Sequence, residues 1–405
     1  MLFSLALIFL AGLSAASICK ALYLPRIIGM LLTGLFLGPY LLDLLDPSIL
    51  GISADLRQLA LIIILIKAGL SLNLSDLKEV GRPAVLLSFL PAVFEILGCV
   101  LLAPKLLGVS PITTALIGAI LGAVSPAVVV PKMVELIEEK RGTDHHIPQL
   151  ILAGASLDDV FVIVLFSTFL GMAQGSRVSL VKFGEIPISI LFGIVFGALV
   201  GWLLACFFEF FYAHGHKIRN STKVILILGI SCLLDALEDS LSGILPFSGL
   251  LAVMSTTCIL QMKSTPIVGQ RLAEKFGKLW IAAEVILFVL VGAAVDIRYT
   301  MEAGASAIVL ILLALVFRSA GVLLSLAKTP LDWKEKLFCV ISYLPKATVQ
   351  AAIGSVPLSM GLPAGKLILS VAVLSILITA PLGSLGMELT SKRLLHQESK
   401  DLSQS

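Results

Sequence analysis

Apolar residues fill long continuous stretches along almost the whole chain, and charged residues gather in the short intervals between them. A helix needs about 20 mainly apolar residues to cross the hydrocarbon core, and only helices or closed barrels satisfy their backbone there. These stretches are too long and continuous for barrel strands, so the pattern predicts spanning helices. Thirteen are discernible, over roughly 2–19, 21–42, 56–74, 83–107, 112–131, 148–173, 184–212, 222–238, 244–262, 278–297, 303–327, 333–355 and 365–390. The first lacks a preceding basic segment and leads straight into the second, so it reads as a span and not as a cleavable leader.

Composition sharpens this reading. Hydrophobic residues make up 58% of the 405 and charged residues 14%, against roughly 45–50% and about 25% in ordinary soluble domains. Mean hydropathy is +1.06. A soluble enzyme of this size could not solvate such a surface, and a polytopic all-α membrane protein is expected. All six cysteines lie inside apolar runs, where they act as small hydrophobes. No Gly-rich phosphate loop is present, which argues against an ATP-driven pump.

Charge placement sets the expected orientation, because cytoplasmic loops are rich in Lys and Arg. With the amino terminus outside, inner segments hold 20 of the 29 basic residues and outer segments 6. Only Lys67, Arg318 and Lys346 fall within spans. Thirteen crossings then leave a short cytoplasmic tail over 391–405 in a cell membrane.

The string Gly69–Gly81 recurs as Gly292–Gly304, matching Gly69 with Gly292, Asn73 with Asp296, Glu79 with Glu302 and Gly81 with Gly304. The two copies close spans that exit on opposite sides. An inverted-topology repeat follows: residues 1–173 mirrored by 222–390, with 184–212 as linker helix. Secondary transporters use this architecture, with the site near the midplane at the repeat interface.

Several charges lie where a membrane helix should carry none. Asp158 and Asp159 interrupt a span, with Ile147–Ala153 before them and Val160–Gly171 after. Each carboxylate costs at least about 2.5–3.5 kcal/mol at the bilayer centre, so such residues mark function. Helical neighbours point about 100° apart, and the two acids therefore do different work. Glu95 and Arg318 occupy equivalent positions of the repeat with opposite sign, and a salt bridge between them removes most of the cost of burying either. Glu284 is a further intramembrane acid that the pattern leaves unplaced.

Two spans are broken. One contains Ser125-Pro126 and Pro131; the other contains Pro345-Lys346-Ala347-Thr348. Proline frees a carbonyl and kinks or unwinds a helix, and a matched pair of breaks in the two halves points to a transporter site. Lys346 stands beside the second break, where it balances carbonyl ends or a carboxylate.

Leu121–Pro131, the Asp158-Asp159 pair, Leu344–Ser355 and Leu374–Pro381 together resemble the NHA-type sodium/proton antiporters of the cation/proton antiporter superfamily. The resemblance covers nearly the whole chain. It implies a homodimer, the antiporter fold with two crossed broken helices, and elevator-type alternating access. It also implies that Asp159 binds Na⁺ or Li⁺ with Asp158 as partner, and that Ser125 and Ser156 are oxygen ligands or near-ligands beside the crossed breaks. Arg318 stands where many electrogenic relatives carry lysine, which opens electroneutral exchange: were Glu95 to neutralise Arg318, Asp158 would lack a cation.

The chemistry suits a carrier without cofactor and without enzymatic activity. A buried carboxylate is penalised for its charge, and either a proton or an alkali cation cancels it. The rival readings are a sodium-coupled symporter of an organic solute and a K⁺/H⁺ exchanger. No nucleic acid is an expected partner; membrane lipid is. The five histidines, His145, His146, His214, His216 and His396, fall in inner loops or the tail, either as pH-sensing groups or simply solvated.

Overall fold

The computed structural model describes residues 1–22, 24–71, 81–174, 180–214, 218–241 and 247–397, and among them every regular element is a helix. In chain order these begin with α1 (Leu2–Ala21), α2 (Arg26–Leu37), α3 (Pro47–Gly51), α4 (Ser53–Ser71), α5 (Arg82–Leu87), α6 (Leu90–Leu107), α7 (Pro111–Gly122), α8 (Pro126–Glu138) and α9 (Ile147–Ala173). They continue with α10 (Leu180–Ala213), α11 (Asn220–Leu241), α12 (Gly249–Lys263), α13 (Pro266–Ala293), α14 (Ile297–Ser325), α15 (Trp333–Ser342), α16 (Thr348–Gly354), α17 (Val356–Ser359) and α18 (Gly365–Leu394).

Every predicted run holds helix in its described part, and seven helical stretches there are long and apolar enough to cross a bilayer unaided. Large apolar side chains such as Leu2, Leu191, Trp202, Ile225 and Leu389 face outward, as lipid allows and water does not. The protein is a multi-pass membrane protein.

The hydropathy reading misses two features of these helices in particular. α13 begins at Pro266 rather than near 278, because proline at the first helical position forfeits no hydrogen bond. Its early turns carry Val268, Leu272 and Phe276 at helical spacing, and the last two are fully buried. The run over 83–107 bends at Ser88-Phe89, where the helix stops and restarts ahead of Pro91.

The helices sort into two packed bodies. One joins α1, α2, α4 and α10–α13; the other joins α5–α9, α14–α16 and α18. The inverted repeat is visible in their contacts. A Cβ on Gly98 would fall 2.8 Å from Phe317 Cγ, and one on Gly321 would fall 3.1 Å from Phe94 Cβ. A Cβ on Gly69 would meet the Met254 carbonyl oxygen at 2.8 Å, and one on Gly292 the Leu31 carbonyl oxygen at 2.1 Å. Glu95 and Arg318 are 223 residues apart, and the same offset relates each of these partners, so both of these contacts recur with their members exchanged. That exchange is what a pseudo-two-fold axis requires. Of the repeated string, Asn73 and Glu79 lie outside the described residues, as does the Glu302 side chain.

Candidate functional site

Each proline break leaves backbone groups without helical partners, and a buried interior must supply them. α7 ends at Gly122, and α8 begins at Pro126, whose absent N–H is harmless at a first helical position. Between α15 and α16, residues 344–347 are likewise non-helical. The breaks cross in direct contact, with the Ser125 N–H donating to the Pro345 carbonyl at 2.8 Å. Gly383 lets α18 press against this crossing, since a Cβ there would fall 2.2 Å from Pro345 Cγ. Pro131 lies within α8.

The carbonyl end of α7 is closed by three side chains from the other half. Gln350 Nε2 donates to Ile120 and Ala123 at 3.1 and 2.8 Å, Lys346 Nζ to Leu121, and Arg318 Nη1 to Gly122. Arg318 Nε also donates to the Tyr343 carbonyl just past α15. Cations thus sit at helix carboxyl ends, where the dipole favours them. At the amino end of α8 the sign reverses, and Asp158 Oδ2 accepts from the Val124 N–H at 2.7 Å. Thr379 and Gln350 complete the second break by accepting from the N–H groups of Lys346 and Ala347.

The same charges pair with one another. Lys346 Nζ lies 2.7 and 2.8 Å from the two Glu95 oxygens, and Arg318 Nη1 lies 2.8 Å from Glu95 Oε2. Arg318 Nη2 reaches Asp158 Oδ2 at 3.2 Å. All four groups are fully buried. This corrects one expectation from sequence, that pairing with Glu95 would leave Asp158 without a cation. Lys346 shares Glu95, and the planar guanidinium donates in several directions at once, so Arg318 serves both acids. Two positive and two negative groups balance.

Asp159 stands outside that balance. Its side chain is 8% exposed, while Asp158 and Ser125 are 0% exposed. Among the described residues, Asp159 Oδ1, Asp158 Oδ1 and Ser125 Oγ have no hydrogen-bond partner. Two of these oxygens are on consecutive residues of α9, and the third is on the residue after Val124, whose N–H Asp158 accepts. Oxygen donors with a surplus negative charge suit a hard monovalent cation or a proton. Ser156, also expected here, has a side chain outside the described residues. Thr348 opens α16 and is buried. Glu284 belongs elsewhere, with Arg26 and Lys67 as its charged neighbours.

Gln350, Thr379 and the Tyr343 carbonyl are working groups that the residue pattern did not single out. Gln350 carried a signal, an amide in a run otherwise nearly free of them; Thr379 and a main-chain carbonyl carried none. Tyr343 also explains a glycine. Its buried hydroxyl would lie 2.1 Å from a Cβ on Gly154, one helical turn before Asp158. Gly154→Ala is expected to lower stability by about 1–3 kcal/mol through overpacking. Thermal unfolding in detergent checks this, with Tyr343→Phe in the same chain recovering part of the loss.

Comparison with known proteins gives a concordant picture. Residues 5–392 match the family model described as sodium/hydrogen exchanger, transmembrane. The human sodium/hydrogen exchanger 9B2 is 35% identical over 388 residues, covering 92% of this chain and 70% of the relative. The human 9B1 protein is 30% identical over 417 residues, covering 97% and 78%. The sodium proton antiporter MjNhaP1 from Methanocaldococcus jannaschii superposes with a TM-score of 0.81 at 23% identity, over 96% of this chain and 97% of its own.

Proposed function

The chain belongs to the transmembrane sodium/hydrogen exchanger family, and we propose that it exchanges Na⁺ or Li⁺ for H⁺ through competition at Asp159. The observation that supports this most is the trio of partnerless oxygens on Asp159, Asp158 and Ser125. A buried polar atom left unpaired costs about 1–3 kcal/mol, and a bound alkali cation repays it. Protonation discharges the same carboxyl by another route, so one site serves both ions in turn. Asp158 is held by Arg318 and Val124 and orients the crossing; Asp159 is the group that changes partner.

Charge balance supports a one-for-one exchange. Glu95, Asp158, Arg318 and Lys346 sum to zero, and Asp159 adds one negative charge that a single Na⁺ or a single H⁺ cancels. The loaded carrier is neutral in both directions of its cycle. Transport is therefore expected to be indifferent to membrane potential. Imposing a potassium diffusion potential with valinomycin on proteoliposomes should leave the initial rate unchanged within error, and a several-fold change would overturn the stoichiometry.

The two helical bodies support elevator-type movement, in which the body carrying both breaks slides against the one built on α10 and α12. We place the chain as a homodimer in the cell membrane, amino terminus outside and tail in the cytoplasm. Cation choice is tested by adding Na⁺, Li⁺ or K⁺ to vesicles that hold a pH gradient. Collapse by Na⁺ and Li⁺ is expected; collapse by K⁺ alone identifies a potassium exchanger. Because protons compete for the site, the apparent KM for Na⁺ should rise as pH falls, with the maximal rate at saturating Na⁺ affected less.

A further inference from the structure

At one end of the bundle the loop between α8 and α9 meets the start of α15 and the chain beyond α18. The Gly142 N–H donates to the His396 carbonyl at 2.7 Å, and the Arg141 guanidinium donates to Gln397 Oε1 at 3.1 Å. This seam presents His145 Nδ1 to the Glu335 carboxylate, 2.9 and 3.1 Å from its two oxygens. Asp144 stands beside them, and one ligand atom from each of Asp144, His145 and Glu335 lies within 4.8 Å of the other two. Glu335 is fully buried. It is fixed by a reciprocal cap with Asp332, whose N–H it accepts at 2.8 Å and whose Oδ1 takes the Glu335 N–H at 2.7 Å. Among the described residues, no lysine or arginine forms an ion pair with it, and His145 is its ion-pair partner when protonated.

We propose that Asp144, His145 and Glu335 form a binding site for a divalent transition-metal ion of the zinc class. One imidazole nitrogen and two carboxylate oxygens make a three-ligand set that zinc completes with water. Mg²⁺ and Ca²⁺ prefer all-oxygen shells, and the imidazole selects against them. Ligands around a tetrahedral ion at about 2.0–2.2 Å stand about 3.4 Å apart. The His145–Glu335 contact is therefore a few tenths of an ångström short of that spacing, the room of a shared proton. Exposed Asp144 supplies the adjustable third ligand, while capped Glu335 supplies the fixed one. The ion takes the place of the proton on Nδ1, so binding releases a proton wherever His145 is charged.

The site is remote from the ion pathway, since Ile147 to Asp159 spans about 18 Å of helix. Calorimetric titration of the untagged full chain in detergent with Zn²⁺ should show one saturable site. Asp144→Asn and His145→Ala should each weaken it at least tenfold, while His396→Ala and Asp159→Asn leave it unchanged. Both weakening variants spare the Glu335–Asp332 cap, and a cooperative thermal unfolding transition for each in detergent shows that a weakened affinity belongs to a folded chain. X-ray absorption of the zinc-loaded chain should show a single imidazole among its ligands. Absence of saturable binding, or equal affinity in wild type and His145→Ala, overturns the assignment.

Discussion

Replacing Asp159 with asparagine is expected to abolish sodium-dependent proton movement in proteoliposomes, down to the level of protein-free vesicles. Asparagine is close to isosteric and keeps an oxygen in place, but it neither ionises nor takes up a proton in this range. Its site is neutral at all times, so it offers no charge for Na⁺ to cancel. Folding should survive, because Asp159 stands apart from the hydrogen-bonded network that closes the breaks. Removing its charge also removes a buried and unbalanced anion, so thermal stability in detergent should equal or exceed wild type. Asp158→Asn separates the roles of the two acids. It unbalances Arg318 and weakens the contact to Val124, so it should lower stability as well as transport. Robust exchange by the Asp159 variant, measured as Na⁺-driven recovery of a pH-dye signal, would remove this carboxylate from the mechanism.

The contrast between the acids also shows what a linear sequence conveys. Charges inside apolar runs announce themselves because their burial is so costly, and Asp158, Asp159, Glu95, Arg318 and Lys346 were all visible on that ground. Proline at Pro126 and Pro345 likewise betrays a broken helix wherever it falls. The 223-residue offset of Glu95 from Arg318 was readable because the repeat constrains both positions. Partner choice was not readable. Arg318 has several donors, and how they divide between Glu95, Asp158, Gly122 and Tyr343 depends on where two remote helix ends come to rest. Carbonyl acceptors have no sequence signature, since every residue carries one. The caps formed by Gln350 and Thr379 stayed hidden for a related reason: a neutral amide or hydroxyl is cheap enough in a helix to need no explanation. The early start of α13 escaped the hydropathy reading because its first turns are amphipathic, with buried Leu272 and Phe276 spaced among polar residues.

Glu95 and Arg318 permit a test of that network as a whole. Each single removal leaves buried charge uncompensated, and losses of about 3–5 kcal/mol are typical in such cases. Glu95→Gln leaves two cations, Lys346 and Arg318, with Asp158 as the acid still paired to them, through Arg318. Arg318→Gln deprives Asp158 of its cation and also uncaps Gly122 and Tyr343, so it should be the more damaging single change. In the double variant Lys346 and Asp158 remain, one of each sign, so the network is balanced again, with Asp159 outside it as in the wild type. The double variant is therefore expected to be more stable than Arg318→Gln alone, with a coupling of about 1–3 kcal/mol. It should stay below wild type, because the guanidinium's carbonyl contacts are still missing. Equilibrium or thermal unfolding of the four chains in one detergent measures the cycle. Strict additivity would mean that the two residues, though in contact, do not share the work of balancing the crossing, and Arg318 would then matter chiefly as a cap for helix ends.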